Sequence, residues 1–155
     1  MGKFGVDFTA FATTTTPKTA VALVAAAGEI AELVEALMSG DGTTAPADRQ
    51  HSAEVLYYDG LAVGTGTAAT PVKMDPQGNV AKMTGTVEFS VEPTTYETVS
   101  PMRFGFNQRG GMRWAVPKGD GIIVTGNVAA NDNIGMRVDS DAAGAVEGYF
   151  QFVEP

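Results

Sequence analysis

Few side chains in this sequence are equipped for chemistry, and their spacing limits what that chemistry could be. There is one histidine, His51, and no cysteine. A single His excludes multi-histidine metal sites, and the lack of Cys excludes thiolate zinc, iron–sulfur clusters, disulfides and cysteine nucleophiles. His51 follows Arg49 and Gln50 and reads as a solvated loop residue at a strand entrance. No Gly-x-Ser-x-Gly elbow is present to expose a serine nucleophile beside it. Glu29, Glu32 and Glu35 could pair as acid and base, but their near-regular spacing reads as one solvated face. Gly64, Gly66 and Ala69 satisfy G-x-G-x-x-A, yet Pro71 follows too soon for the helix a dinucleotide site needs. They read as a loop. Asp139, Asp141 and Gly144 open like a calcium loop, but Ala143 and Phe150 occupy its fifth and twelfth ligand positions. Those acids read as shaping a hairpin turn. No catalytic residue, cofactor site or metal site is expected, and the chain reads as non-enzymatic.

One cluster stands out. Arg103, Arg109, Arg113 and Lys118 are four of the ten basic residues, and no acid falls between residues 98 and 119. That window carries +4 of a net charge of −8, leaving −12 on the remainder. Phe104, Phe106 and Trp114 are interleaved with these bases, a pattern that can bind single-stranded nucleic acid. Strand alternation, however, sets Arg103 and Arg113 opposite the aromatics. The aromatics then read as core, and the bases as a stripe on the outer face of a hairpin. Arg is enriched at protein interfaces, so the stripe is expected to be a docking or subunit contact. The overall acidity argues against a nucleic-acid partner, which requires clustered Lys and Arg.

These residues need a scaffold, and the composition indicates its type. The 155 residues include 19 Gly and 8 Pro, enough to punctuate many short elements within one domain. Ala53 to Tyr58, Thr86 to Val91, Glu97 to Asn107, Met112 to Val116, Ile122 to Thr125, Ile134 to Val138 and Ala145 to Val153 read as strands. In Thr86 to Val91, the residues Val87, Phe89 and Val91 share one face. Short strands at this spacing predict a β-sandwich or barrel. Residues 18–38 are ambiguous between one helix and two strands broken at Gly28. Residues 1–17 end in Thr13, Thr14, Thr15, Thr16 and Pro17 and read as an extended N-terminal arm, with the sandwich over 18–155. The start Met1 to Asp7 lacks the features of a signal peptide. Thr19 to Met38 carries Glu29, Glu32 and Glu35, which argues against a membrane span.

With these elements in view, the sequence resembles small virion structural proteins of tailed phages and prophages. The resemblance rests on the strand-like Thr16 to Val24, on Pro71-Val72-Lys73-Met74-Asp75-Pro76, and on Val91-Glu92-Pro93-Thr94. Gly121 to Thr125, Asn133 to Val138 and the aromatic ending Tyr149 to Glu154 complete it. It implies an all-β, jelly-roll-like sandwich and tips residues 18–38 toward two strands. It also implies a capsid decoration (cement) protein on the virion surface, bound to the major capsid protein and self-associated as a homotrimer. A tail or head-completion protein, or a carbohydrate-binding sandwich using Trp114 with Tyr57 or Tyr58, is the alternative. On this reading the arm, through Thr13, Thr14, Thr15 and Thr16, orders on the shell while Arg103, Arg109, Arg113 and Lys118 anchor it. Deleting residues 2–16 is then expected to weaken capsid binding and leave the fold intact.

Overall fold

The computed structural model describes residues 2–41, 48–59, 63–76, 78–126 and 133–155. β-branched, aromatic and small residues recur between Gly, Pro and Asp turns, and the described chain is accordingly extended throughout, without a helix. The strands are β1 (Gly2–Thr13), β2 (Lys18–Val24), β3 (Ile30–Gly40), β4 (Gln50–Tyr58), β5 (Thr65–Ala69) and β6 (Val72–Lys73). They continue with β7 (Thr84–Val91), β8 (Met102–Asn107), β9 (Gly111–Ala115), β10 (Ile122–Thr125), β11 (Asn133–Ser140) and β12 (Gly144–Glu154). All pair antiparallel, in two sheets packed face to face.

The first sheet runs β6-β1-β12-β3, and β3 carries both β9 and β10 end to end along its free edge. The second runs β5-β7-β2-β11-β4-β8. Setting aside β5, β6, β7 and β10, the strands order as β1-β12-β3-β9 against β2-β11-β4-β8. That is the double Greek key of a jelly roll, in which the chain passes repeatedly between sheets. The described residues between β4 and β8 form an excursion that lengthens both sheets on the same side: β6 joins β1, while β7 and β5 extend beyond β2. Between the sheets lie Phe4, Val6, Phe8, Leu23, Leu33, Met38, Val55, Ile134, Met136, Phe150 and Phe152.

Several expectations are corrected. Residues 2–13 are extended but are no arm: β1 lies between β12 and β6 with Phe4, Val6, Phe8 and Phe11 buried. A division at residue 17 therefore falls within one sandwich. The apolar alternation of β1 is masked by Ala10, whose φ of 53° forms a bulge. The bulge lets Phe8 and Phe11, three apart, face the same core. The two-strand reading of residues 18–38, by contrast, holds, with β2 and β3 in different sheets and no helix. Gly28, at φ 81°, occupies the turn between them, a conformation open to glycine at no steric cost. Val87 faces the main core, but Glu88 at φ 53° reverses the phase. Phe89 therefore packs on the outer side with Ala22 and Tyr58, and Val91 is exposed. The residues Gly64 to Ala69, read as a loop, include edge strand β5.

The glutamates on β3 do not form a solvated face either. Glu32 and Glu35 are buried, because β9 and β10 cover that edge. Between them the chain loops out, and Glu32 Oε1 accepts hydrogen bonds from the backbone N–H groups of Gly119 (2.6 Å) and Gly121 (2.7 Å). A carboxylate thus satisfies two donors that leave the ladder.

Candidate functional site

β8 and β9 are consecutive but do not pair. Phe104 and Phe106 of β8 and Trp114 of β9 face the core as expected. The connection nevertheless crosses from the second sheet to the first, so no basic hairpin stripe exists. Arg103 projects from the second sheet and Arg113 from the first, on opposite sides of the sandwich. Arg109 is in the connection and Lys118 in the looped-out segment of the β3 edge.

Arg103 belongs to a row of facing residues across the outer side of the second sheet. In register the row is Thr19 on β2, Arg137 on β11, Glu54 on β4 and Arg103 on β8. Glu54 takes both arginines: Arg103 Nη2 bonds Oε2, and Arg137 Nη1 lies 3.4 Å from Oε1. The Arg137 guanidinium also covers the Tyr96 ring, 4.6 Å from its centroid. At the other end, the Glu92 carboxylate accepts from the Thr19 backbone N–H at 2.9 Å and from its hydroxyl at 2.5 Å. Tyr96 O–H shares that hydroxyl. Glu92 and Thr94 are the ends of the Glu-Pro-Thr motif, and the intervening Pro93 is buried. Beside the row is a hollow of about 190 Å³ lined by Pro17, Ser52, Glu54, Arg103, Arg137 and Asp139.

The threonine tract leads into Pro17, which lines this same hollow. Thr13 is buried at the end of β1. Thr14 O–H donates to the Thr16 carbonyl at 3.0 Å, and its own carbonyl accepts from Ser140 N at 2.9 Å. Thr15 and Thr16 are exposed, and Pro17 forms part of the wall. Arg103 therefore shares the hollow with Pro17, the residue after the tract, while Arg109, Arg113 and Lys118 do not line it. Sequence reading missed Thr19, Glu54, Glu92, Tyr96 and Arg137. The available signal was an outward charge on each strand, Glu54 on β4 and Arg137 on β11, but strand alternation does not reveal which outward residues are neighbours.

Arg113 has its own partner. Its Nε donates to Glu35 Oε1 at 2.7 Å, and Tyr149 O–H donates to the same oxygen. The Arg113 bond holds the Glu35 carboxyl below its usual range, against the opposing effect of burial. The aromatics proposed as a sugar platform are scattered. Trp114 and Tyr57 pack against the main core, with Tyr57 O–H donating to the Ile123 carbonyl, and Tyr58 lies buried beside Tyr96.

His51 is also not solvated. It is 3% exposed, its ring stacks on Phe106 at 5.0 Å, and neither nitrogen has a hydrogen-bond partner among the described residues. Burial pushes the imidazole below its ordinary value of 6.5, and Arg49 adds to this while Asp141 and Asp139 oppose it. The unfolded chain therefore takes up this proton at higher pH than the folded one. The stabilisation is complete above about pH 6.5 and is lost as pH falls below that toward the folded-state value. A His51→Phe variant keeps the stack and cannot titrate. Its stability advantage over wild type, from thermal denaturation, is expected to grow between pH 7.5 and pH 5. A constant difference would refute the assignment.

Among the described residues no group of three or more His, Asp or Glu side chains is placed to hold a metal ion. Asp139 lines the hollow, and the turn after it leads from β11 to β12 in the other sheet, so it closes no hairpin. The chain matches no protein-family model, and no curated protein is significantly similar to it.

Proposed function

We propose that the chain is a structural protein of a phage virion, a capsid decoration protein that binds the major capsid protein on the outer surface. The observation that carries this reading is that Pro17, which directly follows the exposed Thr15 and Thr16, lines the same outer hollow as Arg103. The resemblance to small virion proteins and the jelly-roll topology, a fold used by viral capsid domains, support it. The work is adhesion. The protein adds buried area across joints of a shell, and self-association as a homotrimer multiplies that area through closed symmetry. Arg103 can contribute because its side chain is 66% exposed even while paired with Glu54. Such an exposed pair is worth only about 0–1 kcal/mol to the fold, which leaves the guanidinium available to a partner.

The test uses expanded heads of the encoding phage that lack this protein. The purified chain is expected to bind them at roughly micromolar concentration and to raise their resistance to heat. Arg103→Ala is expected to weaken binding by about tenfold with a melting temperature little changed, since the exposed pair with Glu54 adds little to the fold. Absence of binding in that range would sink the decoration reading, and undiminished binding by the variant would remove this face from it.

A further inference from the structure

The outer face of the first sheet carries a second, chemically different surface. Two adjoining hollows of about 330 and 240 Å³ share Asp7 and Tyr149 as common walls. Asp7 faces Tyr149 across the β1–β12 ladder, and Tyr149 faces Leu37 on β3, so one row crosses the floor. In the next row Gly5 faces Gln151. A Cβ on Gly5 would meet Met74 Cε at 3.5 Å, an ordinary van der Waals contact, so Met74 overhangs the floor there. Val72 and Met74 form the wall of the larger hollow and are 63% and 50% exposed. The larger hollow falls within the range of small-ligand clefts, about 300–1,000 Å³.

The polar atoms here are mainly acceptors. Gln151 Oε1 is buried with no hydrogen-bond partner among the described residues. Asp7 and Glu147 form no ion pair among those residues, and no Lys, Arg or His lines either hollow. Arg113, the next residue of the row beyond Leu37, is paired with Glu35, and the carboxylates of Asp7 and Glu147 disfavour an anion in the hollows. The Tyr149 hydroxyl is already engaged by Glu35, which ties down the ring. A fitting ligand is rich in donors, bears no negative charge and has an apolar side for Val72, Met74 and Tyr149. A sugar ring has this make-up, with hydroxyls around its rim and C–H bonds on its faces. We propose that this groove binds a neutral saccharide, with Asp7, Glu147 and Gln151 accepting from its hydroxyls and Tyr149, Val72 and Met74 against its C–H face. The site is independent of capsid binding, which the opposite sheet would perform.

A printed array of neutral and acidic oligosaccharides, followed by NMR titration with maltose, cellobiose and chitobiose, tests this. Neutral glycans are expected to bind, with shifts centred on the amides of Asp7, Tyr149 and Gln151. Asp7→Asn and Gln151→Ala are each expected to weaken binding by roughly tenfold, the loss of about one hydrogen bond. Asp7 and Met74 are exposed, so Asp7→Asn and Met74→Ala provide folded variants if Gln151→Ala does not fold. The proposal is overturned by no shifts at tens of millimolar sugar, by shifts that map elsewhere, or by binding of acidic glycans alone. Capture of a Lys-rich peptide without any saccharide would also overturn it. None of these results bears on binding to capsids.

Discussion

A chain lacking residues 2–13 is expected to be unfolded, with no cooperative thermal transition and a collapsed spread of amide NMR signals. β1 is an interior strand. It pairs with β12 from Gly2↔Glu154 to Thr13↔Gly144, and its other side receives β6. It places Phe4, Val6, Phe8 and Phe11 in the core at 1%, 1%, 3% and 5% exposure. Truncating a single buried Phe to Ala costs about 3–5 kcal/mol, and a whole domain has only about 5–15 kcal/mol of stability. Losing three phenylalanines together with a strand ladder exceeds that margin. Phe4 also stacks on Phe152 at 5.5 Å, so the deletion strips the last strand of a ring partner. A truncated protein with a sharp melting transition would show that β1 is dispensable. The expectation that such a deletion spares the fold and weakens only capsid binding is therefore replaced.

The second large effect is expected at Glu92. Its carboxylate is the acceptor for the backbone N–H of Thr19, which is 0% exposed, and for the Thr19 hydroxyl. Glu92→Ala leaves that amide buried without a partner and loosens Tyr96, which bonds the same hydroxyl and supports Arg137. A hydrogen bond to a charged group contributes about 1.5–3 kcal/mol, and an orphaned buried donor costs about 1–3. A loss of roughly 2–4 kcal/mol is expected, read as a melting temperature lower by about 5–15 °C for a chain of this size. Glu92→Gln retains one carbonyl acceptor and is expected to lose less. A melting temperature within a degree of wild type in Glu92→Ala would overturn this account of the Glu-Pro-Thr segment. If Glu92→Ala also weakens capsid binding more than its stability loss explains, the Arg137–Glu54–Arg103 row depends on that tether.

Much of the fold was legible one strand at a time. In β8 and β11 the apolar residues alternate without interruption, and Gly, Pro and Asp mark the turns. Where alternation broke, the reading failed. Ala10 and Glu88 adopt positive φ without being glycine, and each shifts the phase of its strand. The threonines that close β1 drew attention from the apolar residues before them. β5, with its Gly and Ala residues, has too few large side chains to display a period.

The candidate sites were less legible, and the reason is the jelly roll. Residue order alone specifies which face of its own strand a side chain occupies, and that is a local, two-residue property. It established the all-β class, the inward aromatics of β8 and β9, and the acidic balance. Which strand lies alongside which depends on contacts far apart in sequence, and in this topology successive strands mostly belong to opposite sheets. Tertiary pairing therefore separated Arg103 from Arg113, ten residues apart, and set Arg103 beside Glu54 and Arg137 instead. It also buried Glu32, Glu35 and His51, whose polar character had placed them in water. Burial is decided by what packs over a residue, and that covering arrives from elsewhere in the chain.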